Sequence, residues 1–166
     1  MRKVTFVLML LLAAFALYSC KTTSTGPKIE GEVTQEKVND ALGQIYSSYR
    51  PKLDLTGAQQ YTVVRGDTLS QITRKYYGDL TGVGDAGPTN GFHFPVIMMA
   101  SPESGIVDPD LIEPGMKLTI PDLKKNLDNA TSRKAIKDCL NDVAYVYNKK
   151  GAAATEAGLK KLAGSL

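Results

Sequence analysis

The chain has 166 residues, 43% hydrophobic and 22% charged, which fits a folded globular body and excludes a disordered one. It carries 20 basic against 17 acidic residues, a formal charge of +3, and Arg2 and Lys3 account for part of that excess. So small a surplus leaves no electrostatic footprint for nucleic acid, where clustered positive charge is required.

In chain order, Met1-Arg2-Lys3 is basic, Val4 to Leu17 is apolar apart from Thr5, and Ser19 precedes Cys20. This pattern predicts a secretory signal peptide over residues 1–19. A membrane span needs about 20 apolar residues, and this stretch falls short. Leu17-Tyr18-Ser19-Cys20 resembles a bacterial lipobox, although Tyr18 stands where most lipoboxes carry a small or aliphatic residue. The resemblance implies that the Cys20 thiol receives a diacylglycerol, that palmitate-type chains anchor the protein, and that cleavage leaves Cys20 first. The mature chain then has 147 residues with 18 basic against 17 acidic, a charge of +1. Cys139 is its one remaining thiol, so no internal disulfide framework is possible, and its setting suggests a small buried hydrophobe.

Residues 20–32 are expected to be the lipidated cysteine and a tether, because Lys21 to Gly31 is rich in Thr, Ser, Gly, Pro and Lys and has one isolated Ile. Residues 33–51 hold a predicted helix from about Gln35 to Tyr49. Val38, Leu42, Ile45 and Tyr49 share one face of it, Thr34 caps it and Pro51 ends it. Tyr61 to Val64 is β-branched and aromatic and reads as a strand, turned by Arg65-Gly66-Asp67. Thr68 to Gln71 matches a capping box for a helix that buries Leu69, Ile72 and Tyr76 and stops at Gly78. A loop-like, glycine-rich stretch follows. A short helix is expected from Phe94 to Ala100, and a second strand over Lys117 to Ile120. Strands so short and so far apart should pair antiparallel beneath the two helices, an α+β arrangement. Beyond Asp122, Ile136, Leu140, Val143 and Tyr147 mark a helix over about 129–148, and Ala152 to Leu166 a weaker one, together forming a C-terminal helical region at 126–166.

The unit at about residues 60–122 resembles a lysin motif (LysM) domain. The resemblance is carried by Tyr61-Thr62-Val63-Val64-Arg65-Gly66-Asp67-Thr68-Leu69-Ser70-Gln71-Ile72 and Lys75-Tyr76-Tyr77-Gly78-Asp79. It continues in Ile106, Asp108-Pro109-Asp110-Leu111-Ile112-Glu113-Pro114-Gly115 and Leu118-Thr119-Ile120-Pro121. It implies a β-α-α-β module with a two-stranded antiparallel sheet, here flanked by N- and C-terminal amphipathic helices. It also implies binding of N-acetylglucosamine-containing glycans, chiefly peptidoglycan, in a groove between two loops. Carried over by position, those loops hold Gly66, Asp67, Thr68 and Leu69, and Asp110, Leu111 and Ile112. Backbone N–H and C=O groups can satisfy the sugar amide while Leu69, Leu111 or Ile112 covers its methyl. Two departures stand out: an insertion at about 80–93, and Ala100-Ser101-Pro102 where the family commonly has Ala-Asn.

Other signals carry less. Gly82 to Gly87 spells G-x-G-x-x-G, but a helix precedes it and Pro88 follows, the wrong setting for a dinucleotide. His93 and Cys139 fit no metal-site spacing, and Asp108 and Asp110 belong to a turn with no glycosidase-sized cleft around them. Tyr145, Tyr147 and the neighbouring lysines read as a packed helix with a solvated face. The expectation is a non-catalytic cell-envelope lipoprotein without cofactor or metal. It would face the periplasm from the outer membrane in a two-membrane cell, because Lys21 is not the Asp that retains lipoproteins on the inner membrane. The rival expectation is an envelope scaffold whose LysM fold and helices recruit a protein partner.

Overall fold

The computed structural model describes residues 26–78 and 88–166. Cys20, the leader and the G-x-G-x-x-G stretch lie outside the described residues, as does most of the 80–93 insertion. The elements run α1 (Gln35–Tyr49), β1 (Gln59–Thr62), α2 (Leu69–Tyr77), α3 (Phe94–Ala100), β2 (Lys117–Ile120), α4 (Leu123–Asp128), α5 (Ala130–Lys149) and α6 (Ala153–Ser165). Short 3-10 turns at Pro88–His93 and Pro109–Leu111 lead into α3 and out of the segment before β2.

The α+β expectation holds. β1 and β2 pair antiparallel, with Gln59 opposite Ile120 and Thr62 opposite Lys117. The strand begins two residues before the predicted Tyr61, because pairing with β2 recruits Gln59 and Gln60 despite their modest β propensity. Val63 still bonds beyond the strand end: it donates to Met116 O at 2.9 Å and accepts from Gly115 N at 2.8 Å.

α3 organises the core. Its sequence Phe-Pro-Val-Ile-Met-Met-Ala is apolar on every side, and every one of its residues is buried. β2 packs on it, α1 crosses it with Val38, Leu42 and Ile45, and α5 covers it with Ile136, Leu140 and Val143. A two-stranded sheet with two short helices is a marginal core by itself, and the flanking helices complete it. Cys139 sits fully buried on α5, and burial pushes its thiol well above the ordinary range. Ser101 ties the end of α3 to β2, donating to Ile97 O at 2.7 Å and accepting from Thr119 N at 2.8 Å.

Two features differ from the sequence expectation, and a third lies outside it. α4 is an additional helix, capped by Asp122 accepting from Lys125 N. His93, on whose burial the sequence is silent, lies buried edge-on to Tyr77, with ring centroids 6.2 Å apart. Ile29, expected in the tether, is 5% exposed and belongs to the core, its N–H donating to the Tyr145 hydroxyl at 3.1 Å. A single apolar residue among polar ones finds a seat beside Ala41 of α1, fixed by Tyr145 of α5.

Candidate functional site

The loop between β1 and α2 is held from within. Gly66 adopts φ +94°, a left-handed conformation that a side chain would strain. The Asp67 carboxylate accepts from Val64 N at 2.9 Å and from the Tyr61 hydroxyl at 2.7 Å. The backbone bond from Val64, helped by that hydroxyl, keeps the Asp67 carboxyl below the usual range. Thr68 then closes the predicted capping box with Gln71, and Leu69 drops into the core at 4% exposure. Thr68→Ala should remove one cap and lower the unfolding free energy by about 1 kcal/mol, read as a lower urea midpoint with an unchanged slope.

The facing loop is held by charge. Asp108, 3% exposed, accepts from Lys150 Nζ at 3.0 Å to both oxygens, from Gln35 Nε2 at 2.8 Å and from Asp110 N at 3.1 Å. Burial alone would raise its pKa, but these hydrogen bonds and the lysine charge outweigh it and hold the carboxyl below the ordinary value. Asp110 accepts from Lys150 Nζ at 2.6 Å and from the Tyr147 hydroxyl at 3.0 Å. Burial would depress the Lys150 pKa, and the two carboxylates reverse that and raise it.

Between the loops lies a cavity of about 240 Å³. Leu69, Phe94, Pro109 and Tyr147 are buried beneath it, with Phe94 and Tyr147 edge to face at 5.8 Å between centroids. Asp67, Thr68, Ser70, Asp110, Ile112 and Thr155 border it with more exposed side chains, and Phe92 joins them. Of the expected site residues, Asp67, Thr68, Leu69, Asp110 and Ile112 are brought together here. Gly66 shapes the turn without lining the cavity, and Leu111 points to solvent at 55% exposure. An apolar floor under a polar rim suits a ligand that carries both a methyl group and hydrogen-bonding amide and hydroxyl groups.

Sequence reasoning missed Phe92, Phe94, Tyr147 and Thr155 at this place. Tyr147 continues the Ile136-Leu140-Val143 face of α5, a signal that marks burial but not which cavity the ring floors. Among the described residues, no cluster of three or more His, Cys, Asp or Glu is placed to hold a metal ion, and no helix is long and apolar enough to cross a membrane. A family model, described as the LysM domain, matches residues 61–121. No curated protein and no solved structure matches the chain.

Proposed function

We propose, on the premise that residues 61–121 are a LysM domain, that this protein is a lipid-anchored, non-catalytic cell-envelope protein that holds peptidoglycan. LysM domains as a group bind N-acetylglucosamine-containing glycans. The observation that carries the reading is the convergence of Asp67 to Leu69 with Asp110 and Ile112 on one cavity. A floor of Leu69, Phe94 and Tyr147 covers an acetyl methyl, and the rim meets the amide and hydroxyls.

A binding role also suits the carboxylates. Asp108 is buried under Lys150 and Gln35, and Asp110 is shared by Lys150 and Tyr147. Asp108 spends both oxygens on structure and Asp110 has one bond on each of its own, whereas a glycosidase needs one carboxyl free to donate a proton and another facing the sugar. The anchor is Cys20, and Lys21 after it favours the outer membrane in a two-membrane cell.

A single shallow site with little charge should bind its sugar weakly, on the order of 10⁻³ to 10⁻⁵ M. Many anchored copies facing a repetitive polymer then gain attachment through high effective concentration. The test is sedimentation with purified sacculi. Wild type should pellet with them, and Ile112→Ser, at the half-buried rim, should reduce the pelleted fraction more than Lys160→Ser together with Lys161→Ser, on the exposed side of α6. Protein that stays in the supernatant with intact sacculi would replace this reading with that of an envelope scaffold recruiting a protein partner.

A further inference from the structure

Part of the cavity wall comes from beyond the matched domain. Tyr147 stands on α5 and Thr155 in the first turns of α6, and both line the same space as the two loops. Tyr147 is sealed into the floor at 2% exposure, whereas Thr155 and Phe92 are only half-buried and open to a ligand. A close approach fixes this wall in place. Gly158 lies about one turn past Thr155, and a Cβ built on it would collide with the ring of Phe92. Glycine weakens a helix interior, and here it lets α6 come down directly onto Phe92. Behind that contact Leu159 and Leu162 lock α6 into the core, each at most 1% exposed.

We infer that the α5–α6 hairpin is part of the sugar site: Thr155 offers its hydroxyl to the ligand, and Phe92, seated on Gly158, covers one face of a sugar ring. The inference rests on the glycan-binding reading above. A pyranose presents C–H groups on its faces and hydroxyls around its edge. An aromatic ring and a neighbouring Thr hydroxyl answer those two features. The cavity, about 240 Å³, is smaller than the roughly 300–1,000 Å³ that houses a drug-sized ligand. It therefore takes one N-acetylhexosamine ring, and further sugars of the chain lie outside it.

The experiment titrates the full chain, purified in detergent, with the β-1,4-linked trimer of N-acetylglucosamine, using ligand-observed NMR. Thr155→Tyr fills the cavity from α6 and should weaken binding at least about tenfold, with the thermal midpoint unchanged. Thr155→Val removes one hydroxyl at constant shape and should weaken it about fivefold. Gly158→Ala must displace Phe92 and should also weaken binding, so the role of the hairpin stays testable even if Thr155→Tyr unfolds. Trimer binding by wild type that all three variants match within twofold overturns the role of the hairpin and leaves the loop site standing. Wild type that neither binds the trimer nor pellets with sacculi overturns the glycan reading itself, and this inference with it.

Discussion

Replacing Asp108 by Ala is expected to lower the unfolding free energy by about 3 kcal/mol, the scale for removing one partner of a buried ion pair. For a chain of this size that is a fall of roughly 10 °C in thermal midpoint. The cause is specific. The carboxylate answers Lys150 Nζ, Gln35 Nε2 and Asp110 N, and its loss leaves a lysine that is only 18% exposed with Asp110 as its remaining anion. The effect should also depend on pH. The Asp108 carboxyl is held below its ordinary value in the folded state. Its stabilisation is therefore fully present above the unfolded pKa and is lost as pH falls through the folded one. Wild type and Asp108→Ala should differ most near neutrality and converge in acid. Urea denaturation at pH 7 and at about pH 3 checks both statements. Equal midpoints at pH 7 would show that the cluster contributes nothing.

Cys20→Ala is expected to move the protein from the membrane fraction into the soluble one, following the proposed acylation. Each buried methylene contributes about 0.8 kcal/mol, so two or more acyl chains anchor stably where one does not. Intact mass before and after the substitution, with detergent partitioning, decides the matter. A wild type without added mass, partitioning like the variant, would end the proposal. The seat of Ile29 sharpens the expectation. With Ile29 pinned under Tyr145, and Gly26 beside Asp142, the six residue steps from Cys20 to Gly26 span at most about 20 Å. An acylated Cys20 would hold the body close against the headgroups, nearer than a tether running free to Gly31 allows.

What could be read from the residues follows from how local each signal is. The limits of α1, α2, α3 and β2 were legible because caps, prolines and periodicity act within a few residues: Thr34, Thr68 with Gln71, Pro95 and Pro121. β1 starts two residues before the predicted Tyr61 because its start is set by a partner strand more than fifty positions away. The seat of Ile29 is not legible for the same reason, since the polarity of its neighbours says nothing about the α1 and α5 side chains it meets. The two loops of the site were legible through their turn chemistry and family likeness, and five of seven expected residues line one cavity. The walls from α5 and α6 were not. Tyr147 and Thr155 reach that cavity by helix docking, and no spacing in the sequence records where a helix docks.

The Asp108 cluster has a consequence for how the molecule opens. Gln35 belongs to α1, Asp108 and Asp110 to the loop before β2, and Lys150 to the end of α5. The buried Asp108 carboxylate therefore ties the amino-terminal helix, the module at residues 61–121 and the carboxy-terminal helices together, through a neutral amide on one side and a lysine on the other. The apolar residues of α3 sit where all three meet. α5 cannot swing away without stranding the Asp108 charge, and α1 cannot leave without taking the Gln35 hydrogen bond and baring α3 to water. The protein should breathe as one cooperative body, with amides in α1, α3 and α5 exchanging through the same global event; under the proposed anchoring, tension between membrane and wall would meet a single rigid link.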